Sequence, residues 1–178
     1  MANTNSIYAA KKAATLTNPT SATVFLQSDN SAKAAAVYVP DQWQTGTVAG
    51  SFCFNLRAWG RVTGGTTTNF TPVIQFGTSI TAGSNTNCIS GGAAAYNSAS
   101  GCWRLDGQMI WDSTSKTVNG VLFGNNASGG TIVTSAASTQ LTSALLATNG
   151  LGFVVSALFS ASNAGNLAYL DGLTLEVV

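Results

Sequence analysis

A chain of 178 residues with a 45% hydrophobic fraction is long enough to bury one domain-sized core without disulfide or metal staples. Only 7% of its residues are charged, far below the roughly 25% of ordinary soluble domains, so Ser, Thr, Asn, Gln, Ala and Gly cover the surface, a composition suited to packing against other subunits. Seven Lys and Arg against six Asp and Glu leave a net charge of +1, too little to neutralise a nucleic-acid backbone, and no run approaches the roughly 18 uninterrupted apolar residues of a membrane-spanning helix. Nucleic acid and membrane are therefore not expected partners.

Residues 1–21 carry little strand pattern and read as an N-terminal arm. Residues 1–6 are polar rather than basic-then-apolar, so no export signal is visible and synthesis in the cytosol is expected. Ile7 to Ala14 predicts a short helix, broken by Asn18-Pro19. Lys11 and Lys12, a small basic cluster in that arm, read first as a solvated pair and second as contacts to a neighbour on which the arm becomes ordered.

From Ala22 to Val178 short apolar runs alternate with Gly, Ser, Thr and Asn clusters, the pattern of an all-β sandwich. Strands are expected at Thr23–Gln27, Ala35–Val39, Phe70–Phe76, Thr131–Thr134, Leu151–Ser160 and Leu167–Val178. The longest alternation runs from Ser51 to Thr63: Phe52, Phe54, Leu56, Ala58 and Val62 share one face, while Ser51, Asn55, Arg57, Trp59 and Arg61 share the other. Trp59 is thus predicted to be exposed or covered by another subunit. Residues 102–112 repeat the pattern, with Trp103, Leu105, Met109 and Trp111 opposed to Arg104, Asp106, Gln108 and Asp112; a turn at 112–116 leads into a strand from Thr117. Residues 140–147 fit a short helix or a strand. Long antiparallel strands over one core favour a jelly-roll-like sandwich, and the absence of alternating strand and helix patterns excludes a parallel sheet.

The sequence holds no histidine, which removes the usual general base, the triad imidazole and the commonest metal ligand. Asp106 and Asp112, six residues apart on one strand at about 3.3 Å each, are about 20 Å apart, too far for a glycosidase carboxylate pair; a pair such as Asp41 with Asp171 stays open. The Gly-rich stretches lack phosphate-loop spacing, and three scattered cysteines without His companions do not form a zinc site. No catalytic role, cofactor or metal is expected. Cys53 reads as a strand thiol; Cys88 and Cys102 bracket a loop and are able to bridge its ends, although cytosolic synthesis favours reduced thiols. Trp43 and Tyr96, each in a loop-like segment, join Trp59, Arg57 and Arg61 as candidate contact residues. Asp171 shares the parity of Leu167, Tyr169, Leu173 and Leu175. Either Asp171-Gly172 forms a bulge that turns the carboxylate outward, or backbone amides or a cation satisfy it.

Residues 103–112 and 118–124, followed by 152–177, resemble β-sandwich virion proteins of tailed bacteriophages, a likeness of pattern over the C-terminal half without a diagnostic motif. That resemblance implies a structural role in capsid decoration or cementing, or in a related head or tail component, within the virion and usually as a homo-oligomer, often a trimer. The last strand, from Tyr169 to Val177, is also similar to carbohydrate-binding jelly-roll modules, which implies sugar stacking on Trp59 or Trp43. A phage receptor-binding domain would combine the two roles.

Overall fold

A computed structural model of the chain describes residues 7–10, 12–39, 51–64, 68–91, 94–96, 100–112, 117–127, 131–133 and 152–178. Lys11, Trp43, Asp41 and the ambiguous segment 140–147 lie outside the described residues, as does most of the predicted 112–116 turn.

The fold is an all-β antiparallel sandwich. One sheet is built on the two alternating segments of the sequence, β7 (Ser51–Thr63) and β11 (Ser100–Asp112), paired without interruption from Thr63↔Ser100 to Ser51↔Asp112. Beyond β11 lie β12 (Thr117–Ala127) and β13 (Thr131–Val133). On its other side β7 pairs with β15 (Leu167–Ala168) and β16 (Gly172–Val177), which in turn pair with β2 (Leu16–Thr17) and β1 (Ile7–Ala9) respectively. The opposing sheet centres on β8 (Thr68–Phe76) and β14 (Gly152–Phe159). It is flanked by β3 (Thr23–Val24) and β6 (Ala36–Tyr38) on one side and by β9 (Thr86–Ser90) and β10 (Ala94–Tyr96) on the other. A small hairpin joins β4 (Leu26–Gln27) to β5 (Asn30–Ala34). The chain crosses repeatedly between the sheets and brings its first and last strands together, as a jelly roll does.

The period-2 pattern decides what the sheets bury. Phe54, Leu56, Ala58 and Val62 of β7, Trp103 and Leu105 of β11, and Leu173 and Leu175 of β16 face Phe70, Ile74 and Phe76 of β8 and Phe153, Val155, Ala157 and Phe159 of β14. Aromatic rings lock this core: the centroids of Phe70 and Phe159 are 5.2 Å apart and those of Phe76 and Phe153 5.4 Å, in tilted and edge-on arrangements. β14 is buried on both faces, because Val154 packs with Val24, Ala34, Ala36 and Ala82 in a second small cluster. Its nearly unbroken apolar sequence follows from that.

One expectation changes. Residues 7–9 form a strand, not a helix, and the described part of the expected arm is hydrogen-bonded into the sandwich. Ala10 N–H donates to Leu173 O at 2.9 Å and Ala14 N–H to Leu26 O at 2.7 Å. Ala-rich sequence favours a helix only in isolation; an open edge at β16 offers the same amides a ladder, and tertiary pairing overrides the local preference. Asn18, in the left-handed region at φ 47°, anchors the end of this segment. Its Oδ1 accepts from Asn163 N–H at 2.9 Å and from Asn166 Nδ2 at 3.2 Å, while its Nδ2 donates to Ser162 Oγ at 2.7 Å. The thiols follow the default expectation: Cys53, Cys88 and Cys102 are free, with Cys88 buried and Cys102 exposed, and the bridge that the loop spacing permits is not formed.

Candidate functional site

The outer face of the first sheet gathers most of the residues picked out in the sequence. Alternation sends Asn55, Arg57, Trp59 and Arg61 outward from β7. The register then sets Asp106 beside Arg57, Arg104 beside Trp59 and Cys102 beside Arg61 on the β11 side. On the β16 side it sets Glu176, Thr174 and Gly172 beside Asn55, Arg57 and Trp59.

Two ion-pair groups organise this surface. Arg57 Nε donates to Asp106 Oδ1 at 2.7 Å, and Arg104 binds the same carboxylate through Nε and Nη2. Arg61 makes a bidentate pair with Asp171, Nε to Oδ2 and Nη2 to Oδ1, both at 2.9 Å. Its guanidinium also lies over the Tyr169 ring, 4.6 Å from the centroid. Hydrogen bonds from Arg61 to Asp171, and the charge of that carboxylate, raise the guanidinium pKa above its usual value. Pairs this exposed contribute little to stability. Their consequence is positional, since they hold three guanidiniums around one indole.

Asp171 reaches Arg61 because of a bulge. Tyr169 N–H donates to Arg61 O and Asp171 N–H to Trp59 O, yet Gly172 is already the register partner of Trp59, so two residues oppose one. Before the bulge Ala168 and Leu170 point into the core; after it Leu173 and Leu175 do. The bulge turns the Asp171 carboxylate outward, where the Arg61 guanidinium meets it, and among the described residues no group of three His, Cys, Asp or Glu side chains converges on one point.

Glycines seat the two indoles on opposite sides of β7. A Cβ at Gly172 would collide with Cζ2, Cη2 and Cε2 of Trp59, so the outer indole lies flat on bare backbone. At Gly60 a Cβ would meet Tyr169 O and come within 2.9 Å of Cε2 and Cζ2 of Trp103. Trp103 sits there in the core and donates Nε1–H to Tyr169 O at 3.2 Å. Trp59 stays 37% exposed while Trp103 is 1% exposed.

An open depression of about 620 Å³ lies around Arg57, Trp59, Arg61, Cys102, Arg104 and Asp171. A second, of about 400 Å³, shares Arg61 and Asp171 and extends to Tyr169, Lys12 and Thr15. Arg57, Trp59 and Arg61 therefore come together as their shared parity predicts, and Lys12 joins them at one end. Tyr96 does not: β10 belongs to the opposing sheet, and its side chain lies outside the described residues, as do Trp43 and Lys11. Arg104, Asp106 and Asp171 complete the face. The parity of Arg104 and Asp106 is visible in the sequence and the outward turn of Asp171 depends on the bulge, but the strand pairing that brings all three to β7 is not visible.

No protein-family model matches the chain, and no curated protein matches it. Among solved structures, peanut lectin with a 9mer peptide is similar at 13% identity and a TM-score of 0.40, over 98% of this chain and 91% of that one. Winged bean acidic lectin complexed with methyl-alpha-D-galactose gives 11% and 0.35 over 99% and 93%, and arcelin-5, a lectin-like defense protein from Phaseolus vulgaris, 8% and 0.37 over 98% and 99%. At these identities and TM-scores the likeness carries no argument about ligand or activity, and the sandwich rests on its own strand pairing.

Proposed function

We propose that the chain is a non-enzymatic structural protein of a phage particle. It decorates or stabilises a capsid, or a related virion lattice, by docking through the outer face of its first sheet. The observation that carries the reading is that all three arginines of a charge-poor sequence stand around its exposed Trp59. Trp and Arg dominate the residues whose truncation weakens protein interfaces, and they do so near the interface centre. A hydroxyl-rich surface elsewhere suits further packing, and the phage-like pattern of the C-terminal half supplies the kind of lattice. Self-association, frequent in that family, would present several copies of the face at once and raise avidity without new contacts.

The test is co-sedimentation of the purified chain with phage particles that lack it. Trp59→Ala is expected to weaken binding at least about tenfold, the effect of losing a central anchor. Binding unchanged by that substitution, or no binding by the unaltered chain, contradicts the proposal.

A second reading, a carbohydrate-binding jelly-roll module, is favoured by the indole lying flat over Gly172, since a planar apolar ring is a surface on which a pyranose can stack. Binding to an immobilised glycan panel that disappears in Trp59→Ala, from a chain that remains monomeric, would select this reading over the first.

A further inference from the structure

The face is asymmetric in charge. Asp171 neutralises Arg61 and Glu176 lies at the Asn55 end of the face, on the side of β7 away from β11, whereas Asp106 is shared by Arg57 and Arg104, so the Arg57–Asp106–Arg104 group keeps one positive charge. That charge sits next to Trp59, because Arg104 is the register partner of Trp59 and Arg57 lies two residues away on the same strand face. Arg57 uses its Nε on Asp106, and among the described residues no hydrogen bond engages its terminal Nη groups, which can donate to a second carboxylate. A guanidinium presents a rigid planar fork whose geometry matches a carboxylate.

We infer that the face takes an extended, acidic segment of a neighbouring particle protein, with an Asp or Glu carboxylate over Arg57 and Arg104 and an apolar side chain on Trp59. The inference rests on the docking reading above. Same-face side chains of an extended chain recur about every 6.6 Å, two residues at roughly 3.3 Å each. Arg57, Trp59 and Arg61 recur along β7 with that period. An acidic residue and an apolar residue two positions apart in the partner therefore match Arg57 and Trp59 directly. Beyond Trp59 the surface stays open along Arg61 and Tyr169 to Lys12, so it follows the course of a chain instead of closing around a single ring. The flat indole provides a floor without walls, which suits the side chain of a passing segment.

The experiment is a salt series of particle co-sedimentation with four forms of the full chain, each first shown by thermal melting to fold. For the unaltered chain, affinity falls as salt rises. Arg57→Gln with Arg104→Gln weakens low-salt binding at least tenfold and flattens the salt dependence. Lys33→Gln, which removes a positive charge from β5, outside the residues that line the face, leaves that dependence nearly intact, and Trp59→Ala weakens binding at every salt concentration without altering it. Amidating the particle carboxylates with a carbodiimide and an amine reproduces the double arginine variant. If the double variant binds like the unaltered chain while Trp59→Ala does not, docking stands and the acidic partner falls. If the unaltered chain fails to bind particles, both fall. Displacement from the particles by an oligogalacturonate at low concentration, with amidation having no effect, assigns the face to an acidic sugar and overturns the peptide segment.

Discussion

Gly60 and Gly172 each make room for an indole, but their neighbours differ in how far they can give way. At Gly60 an added methyl meets a backbone carbonyl and a core tryptophan, so Gly60→Ala is expected to cost about 2–4 kcal/mol in denaturant unfolding, as overpacking against rigid neighbours does. At Gly172 the obstacle is a surface side chain that can swing away, so Gly172→Ala costs less than about 1.5 kcal/mol while displacing Trp59 and weakening docking. Equal stability losses at the two positions would mean that the outer indole is held as firmly as the inner one. Cys88 offers a titration test. Burial pushes its thiol up to about 12, against an ordinary value of 9.0, with a hydrogen bond to the Phe76 backbone pulling slightly the other way. Because the neutral form is favoured in the folded state, its contribution is fully present below about pH 9 and is lost as the pH rises from there towards 12. Cys88→Ala should flatten that part of the stability profile, and in the native protein an alkylating reagent should label Cys102 and spare Cys88. At this scale much could be read directly from the sequence. Parity alone identified Arg57, Trp59 and Arg61 as a set, and the Asp171-Gly172 bulge was one of two stated outcomes. The contribution of Arg104 and Asp106 was hidden because it depends on which strand lies beside β7.

Among the elements, β1 and β2 change the account most. They add ladders to β16 and β15, and the segment ends at the Asn18 clamp on Asn163 and Asn166. Deleting residues 1–21 is thus expected to unfold or strongly destabilise the sandwich, visible as a fall in melting temperature of more than about 8 °C. A truncated chain that melts like the full one would restore the picture of a detachable arm. Asn18→Gly keeps the left-handed conformation accessible but removes the side-chain hydrogen bonds, and should cost about 1–3 kcal/mol. The strands from Ser51, Ser100 and Gly152 were legible because their alternation or continuous apolarity is long. β5 was not, because Asn30–Ala34 has no strand-forming side chains and takes its conformation from pairing with β4. β1 was hidden for a different reason: Ile7 and Tyr8 suit a strand, but the Ala-rich segment that follows them points locally to a helix.

For the whole molecule, the jelly roll explains how a contact face arises. A central strand with neighbours on both sides presents three adjacent rows of outward side chains. In this chain those rows carry every arginine and the exposed Trp59. The sandwich class could be read from strand spacing, but the neighbours of each strand could not, and the face exists only through those neighbours. The most direct measurement of the central claim is the binding of the full chain to phage particles that lack it, compared with Trp59→Ala in the same buffer. Saturable, stoichiometric binding by the unaltered chain that falls at least about tenfold in Trp59→Ala, with both forms melting at the same temperature, is the predicted result. Binding that is absent, or that survives the loss of the indole, would contradict it.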